Sequence, residues 1–235
     1  LLVASQLTSC APTFNAKLYA ASQTFDEARH VEAFNRYIQT RLKMMYPIGN
    51  ALKSILDKIL TDPRWDLKFI GMQLIIEGLA LAAFQSTREL AKDPVLYDML
   101  GLIIRDEARH VTFGVNYLEE YLKNLSQDEL EERALFAYEA CVVMRGRLLS
   151  AEVYEKFGWD VEEALEFQSK TDVTNNFQHL LFTRVVPNLS RIGLITEKVR
   201  PLYEELGVLE YESWPTDGDI DWVSLKQPLD LSESA

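Results

Sequence analysis

The sequence predicts an all-α protein, and three observations carry that expectation. Glycine and proline are sparse, 10 and 8 among 235 residues. Apolar residues recur at three- and four-residue spacing through most of the chain, with few of the alternating runs that mark strands. Helix-start signals fall where that periodicity restarts.

The elements follow in order. The opening LLVASQLTSC reads as a helix remnant at about 1–10; it has no initiator Met, basic leader or secretory cleavage pattern, and is expected to be a fragment starting inside a helix. Ala11-Pro12 marks a turn, after which helices are expected at about 13–43 and 50–60. Asp62-Pro63 and Asp93-Pro94 each pair an N-cap acid with proline at the first helical position, which opens helices at about 64–91 and 94–124. SQDE (Ser126 to Glu129) and DVEE (Asp160 to Glu163) have capping-box spacing and open helices at about 127–157 and 161–185. After Pro187 the pattern shortens, and from about Glu210 it becomes an acidic stretch holding Trp214, Pro215, Gly218 and Pro228. Residues 1–209 are therefore expected to form one helical domain, and 210–235 an extended acidic tail.

Composition narrows the functional classes. A formal net charge of -12, from 24 basic and 36 acidic residues, argues against duplex nucleic acid and anionic membrane surfaces, since both demand a basic face. The longest apolar run, Phe69 to Phe84, contains a Gln and a Glu and is shorter than the ~20 residues of a membrane span. It reads as a buried core helix. Cys10 and Cys141 show neither CxxC nor zinc spacing, so reduced thiols and a cytoplasmic setting are expected. No G-x-G-x-x-G follows a strand, so no NAD or flavin site is expected.

The chemistry-bearing feature is a repeat. DEARH occurs twice, with Glu27/His30 and Glu107/His110 at the same spacing, 80 residues apart. That interval suits two helix hairpins related by internal symmetry. Residues i and i+3 share a helix face, so each motif offers one oxygen and one nitrogen donor to the same point. A single such pair is common by chance and usually an exposed ion pair; two pairs on apolar stripes are a different matter. Glu77 also lies on an apolar stripe, with Ile70, Gln73, Leu74 and Leu81. If the chain turns at Lys92, Glu77 and Glu107 are equidistant from the turn, and at ~1.5 Å per residue both lie about 22 Å from it. The same count applied to the first hairpin places a fourth carboxylate a few residues upstream of Leu1.

Carboxylates and imidazoles from neighbouring helices suit two iron or manganese ions better than a structural zinc. On these motifs, over about residues 1–125, the sequence resembles the ferritin-like di-iron-carboxylate superfamily. That superfamily includes the ribonucleotide reductase small subunit, the soluble acyl-carrier-protein desaturases, the hydroxylase subunits of bacterial multicomponent monooxygenases and the arylamine N-oxygenases. The resemblance implies a four-helix bundle core with additional C-terminal helices. It implies Glu27, His30, Glu77, Glu107 and His110 as ligands of two Fe, or of a Mn/Fe pair. It further implies that Asp26 and Asp106 each accept a hydrogen bond from the ligand histidine of the opposite motif, with Arg29 and Arg109 balancing them.

Two positions depart from particular branches. One turn after His30 stands Phe34, where radical-generating subunits of the common type carry Tyr. Four residues before Glu107 stands Ile103, where the arylamine N-oxygenases carry His. His179 reads as a packed or half-exposed residue. One turn after His110 stands Gly114, which suggests a space for O₂ or an organic substrate, with Thr24, Phe34, Gln73, Ile103 and Phe113 as its candidate neighbours.

The expected function is therefore an O₂-activating non-haem di-iron oxidoreductase, an oxygenase or desaturase type acting on a small organic or acyl substrate. Electrons would come from a separate reductase or ferredoxin, and the resemblance makes a homodimer plausible. A ribonucleotide-reductase-like radical-generating subunit and a ferroxidase that handles iron are the alternatives. Ligand set and fold do not choose among the oxidations that share them.

Overall fold

Helices account for every regular element among the described residues of the computed structural model, which are 1–146, 149 and 151–222. Helix α1 spans Leu2–Cys10 and gives way to extended backbone at Ala11, ahead of Pro12. Helix α2, Phe14–Tyr37, starts where the Thr13 hydroxyl accepts a hydrogen bond from the Ala16 amide at 3.2 Å. It continues into a π-helical turn, Ile38–Leu42, and stops at Lys43 in the left-handed region. Helix α3 spans Asn50–Thr61.

The next three segments form one rod, Trp65–Leu90: α4 (Trp65–Phe69), a π-helical segment (Ile70–Ile76) and α5 (Glu77–Leu90). The rod is long and apolar enough to cross a membrane, yet most of its apolar window is buried in the protein. Helix α6, Pro94–Leu122, opens with the Asp93 carboxylate accepting from the Val95 amide at 2.9 Å and with Pro94 in the first turn. Helix α7, Gln127–Arg145, carries the capping box of Ser126 and Glu129. Helices α8 (Ala151–Phe157), α9 (Val161–Ser169), α10 (Asp172–Arg191) and α11 (Arg200–Leu206) follow.

Four local expectations need correction. Asp62 does not start the rod. It closes α3, and its carboxylate accepts from the Arg64 amide at 2.9 Å and from the Arg64 guanidinium at 2.8 Å. A short acidic side chain that bonds the backbone two residues on makes a turn in place of a cap. The helix expected at 127–157 is two helices, since α7 ends at Gly146; Arg147, Leu148 and Ser150 lie outside the described residues. The helix expected at 161–185 is also two, because the Thr171 hydroxyl accepts from the Thr174 amide and starts α10 afresh. That helix then runs through Pro187 to Arg191.

The stretch expected as a tail is, through Trp222, folded onto the helices. Two 3-10 turns, Leu209–Tyr211 and Asp217–Asp219, are laid against α10 and α6. Asp217 is buried, with its carboxylate accepting from the Asn188 amide group at 2.7 Å and its carbonyl accepting from the Thr112 hydroxyl at 2.8 Å. His179 contacts the Tyr211 hydroxyl at 3.1 Å and packs edge-on against Trp214. Residues 223–235, with Pro228, lie outside the described residues.

The core is continuous from Val3 to Val208. Helix α1 packs on α2 and α4, α5 on α6 and α10, and α3 on α7. The rod lies at the centre, with Phe69, Ile70, Leu74 and Ile75 wholly enclosed. Close approach of α3 depends on Gly71, where a Cβ would stand 2.6 Å from the Ile59 side chain. Lys68, also buried, donates to the Ile59 and Leu60 carbonyls at 2.8 and 2.9 Å, so its ammonium caps the C-terminal end of α3.

Asp66 and Arg133 form a buried ion pair at 2.9 Å between α4 and α7. Replacing Arg133 with Met removes the cation and strands the Asp66 carboxylate. Such a change destabilises a fold by about 3–5 kcal/mol, and urea unfolding of Arg133→Met against the parent protein measures it.

Candidate metal centre

Two regular helical stretches set the register of the site. From Glu77 to Leu90 and from Pro94 to Leu122 the backbone is α-helical, so Glu77 and Glu107 lie at matched height across the α5–α6 hairpin. Helix α2 supplies Glu27 and His30 from the opposite side. Donor atoms of Glu27, Glu77, Glu107 and His110 all fall within 4.8 Å of one another, a group able to hold a metal ion.

Glu107 stands between the two imidazoles. Its Oε1 is 3.1 Å from His30 Nδ1 and its Oε2 is 2.8 Å from His110 Nδ1. His110 Nδ1 is also 3.7 Å from Glu77 Oε1 and 3.8 Å from Glu27 Oε1. One carboxylate thus faces two ring nitrogens, an oxygen to each. The amino group of Leu1 lies 3.6 Å from Glu27 Oε2.

The outer ring nitrogens are directed at the other motif's aspartate. His30 Nε2 lies 3.1 Å from Asp106 Oδ2, and His110 Nε2 lies 3.4 Å from Asp26 Oδ2. Arg29 donates to Asp26 at 2.6 Å and to Asp106 at 3.0 Å. Arg109 donates to Asp106 and stands 3.8 Å from Asp26. Donation from Nε2 to an aspartate leaves Nδ1 of a neutral ring as an acceptor aimed into the cluster, which is how a histidine is held for metal binding.

The donor set passes a fit test on its own atoms. Glu27 Oε1 is buried and has no hydrogen-bond partner in the protein. Buried polar atoms are ordinarily paired, and an acceptor oxygen left over among Glu77, Glu107 and His110 is one that a cation would satisfy.

The charges agree. Burial, then the Glu107 and Glu27 carboxylates, push Glu77 well above the usual carboxylate range. Burial opposes charge on Glu107, but hydrogen bonds from His110 and His30 outweigh it and hold that carboxyl below its usual range. Burial also opposes charge on His30, yet the hydrogen bonds to Asp106 and Glu107 prevail and raise it to about 9. The hydrogen bond from His110 leads in holding Asp26 down at about 2. Left to protons alone, the cluster gathers positive charge wherever it can. Oxygen and imidazole donors with that demand suit a divalent transition metal.

The expected substrate space at Gly114 is not present. A Cβ there would stand 2.4 Å from Gln73 Cβ, so Gln73 fills the place where a side chain would go. Glycine at 114 serves close helix approach. The other candidates are dispersed: Thr24 bonds the Ala20 carbonyl and faces Thr8 of α1, Phe34 packs on Phe84, and Ile103 is buried. Phe113 stacks on Tyr19 at 3.6 Å and with it lines a cleft of about 530 Å³. Asp26, Arg109, Phe25 and Trp222 complete much of that cleft.

Several residues at this site escaped sequence reasoning. Tyr19 packs edge-on to His110 and donates to the Arg109 carbonyl at 2.9 Å. Trp222 reaches the cleft from the C-terminal segment and donates to Thr112. Nothing local in the sequence signals either contact. Gln23 and Gln73 did carry a signal, since each stands four residues before a candidate ligand glutamate.

No family model, no curated protein and no solved structure matches the chain.

Two outcomes follow from this geometry. Asp106→Asn keeps the shape but alters what the His30 ring faces, so metal affinity should fall by about 10–100-fold, measured by titration of the metal-free protein. Gly114→Ala forces α6 and the rod apart, at a cost of about 1–3 kcal/mol typical of overpacking; urea unfolding measures it.

Proposed function

We propose that the cluster is a carboxylate-bridged di-iron centre in a ferritin-like four-helix bundle, and that the protein is a non-haem di-iron oxidoreductase. The observation that carries this reading is the placement of Glu107 between His30 Nδ1 and His110 Nδ1, with Glu27 and Glu77 on the same point. The bundle would consist of α1, α2, the Trp65–Leu90 rod and α6, whose packing is consistent with that arrangement. The rule that such bundles offer a Glu from each of two helices and a Glu-x-x-His pair from each of the others fits Glu77 and the two motifs.

Glu27, His30, Glu77, Glu107 and His110 would hold the metal. Iron so held supplies electrons to dioxygen and thereby oxidising power toward an organic substrate. The protein's own part is threefold. Its carboxylates place negative charge where two cations must sit close together. Asp26 and Asp106 fix each ring so that Nδ1 faces the metal. The apolar walls, with Ile103, Ile104 and Val111 buried beside the motif, keep bulk water from the donors.

The cleft formed by Tyr19, Phe25, Phe113 and Trp222 beside Asp26 and Arg109 has the size and aromatic lining of a small-molecule site, which favours a small organic or acyl substrate. Electrons beyond those the substrate supplies would come from a separate reductase or ferredoxin.

The test is iron analysis with Mössbauer spectroscopy, after anaerobic loading with ferrous iron and again after mixing with dioxygen. About two irons per chain, magnetically coupled and oxidised by dioxygen, is the expected result. A single mononuclear ion, or no bound iron, overturns the proposal.

A further inference from the structure

Two glutamines that the ligand set does not use are wholly enclosed beside it. Gln23 of α2 and Gln73 of the π-helical segment are both 0% exposed. They bond each other reciprocally: Gln23 Nε2 donates to Gln73 Oε1 at 3.1 Å, and Gln73 Nε2 donates to Gln23 Oε1 at 2.5 Å. The second N–H of Gln23 donates to Glu77 Oε1 at 2.8 Å.

The reciprocal pair holds the Gln23 amide in place, and the Glu77 carboxylate, which accepts hydrogen bonds, sets which way it faces. An isolated glutamine turns its amide freely, and its oxygen would repel a carboxylate. Here the Gln23 oxygen is engaged by Gln73, and the nitrogen side meets Glu77. Gln73 in turn is held from behind. Its Cβ occupies the place of a side chain at Gly114, so the backbone of α6 forms its floor.

We infer that the Gln23–Gln73 amide pair is a positioning device for the metal centre, presenting one fixed N–H to Glu77 Oε1 and so holding the Glu77 carboxylate in a single orientation. This rests on the reading of the cluster as a metal centre. A carboxylate with one oxygen tied to a rigid donor has less freedom to swing between one-metal and two-metal modes. Glu27 has no amide of this kind: its Oε1 has no hydrogen-bond partner in the protein, and its Oε2 faces the Leu1 amino group at 3.6 Å. Glu77 is thereby held by a fixed amide donor that Glu27 lacks. Gln73 and Gln23 stand at the same place in the pattern, each one turn before a ligand glutamate. Yet both amides serve Glu77.

The probe is Co(II), whose visible absorption reports coordination number and ligand geometry. The double variant Gln23→Leu/Gln73→Leu removes both halves of the amide pair together and leaves neither amide orphaned. It is expected to unfold in one cooperative thermal transition as the parent does, at a somewhat lower midpoint because Glu77 Oε1 loses a donor. One of two bound Co(II) ions should weaken by about 10–100-fold, the effect usual for losing a residue that orients a ligand, and the absorption envelope should change. Gln73→Leu alone is the second variant, and it leaves the buried Gln23 oxygen without its partner. It leaves the Gln23 donor in place but free to turn, and a smaller change in the same spectrum is expected.

Unchanged affinities and spectra in both variants, in protein that binds two Co(II), overturn the positioning role and leave the metal centre standing. Failure of the parent protein to bind Co(II) overturns the metal centre first, and the positioning role with it.

Discussion

The need to neutralise carboxylates inside an apolar bundle governs the rest of this structure. Glu27, Glu77 and Glu107 converge from three directions at a point shielded from water, where an unpaired carboxylate is untenable. Two imidazoles are the only basic side chains brought to that point among the described residues, and the arginines stay at its rim. Apart from the Leu1 amino group beside Glu27, the charge that would balance the carboxylates there is that of protons or of a metal. The divergent behaviour of Glu77 and Glu107 shows that demand at its sharpest: one is driven toward its neutral form by burial beside other carboxylates, while the other is kept charged by both histidines.

Backbone geometry delivers those groups to one place. Regular helix on both arms of the α5–α6 hairpin matches the heights of Glu77 and Glu107, and the π-helical segment comes only before Glu77. Such segments are frequent at functional sites. Here it carries Gln73 against Gly114 and Gly71 against Ile59, so the rod is gripped closely on two sides where it reaches the cluster. The rod's enclosure by α1, α3, α6, α7 and α10 also explains why so apolar a segment is core.

Outside the cluster, a ring of Asp26, Arg29, Asp106 and Arg109 ties α2 to α6 through the histidines. The exposed arginine contacts add little by themselves, because solvent screens them. Their value lies in direction, since each aspartate fixes a ring belonging to the other motif. The C-terminal segment adds a second brace two residues beyond His110, where Thr112 bonds the Asp217 carbonyl and Trp222 bonds Thr112.

The sequence by itself determined the helical class, most helix starts and the convergence of Glu27, Glu77, Glu107 and His110, because these depend on local spacing. Three- and four-residue periodicity, caps such as Thr13, Asp93 and Ser126, and the matched counts from Lys92 are all properties of neighbouring residues on a helix. It also indicated the crossed pairing of Asp26 with His110 and Asp106 with His30, though only through resemblance. Tertiary structure decided the rest. Whether Gly114 opens a space or closes one depends on Gln73, 41 positions earlier in the chain. The folding of residues 209–222 onto α6 and α10 and the joining of Tyr19 and Trp222 at one cleft arise from long-range packing, to which helical periodicity is blind.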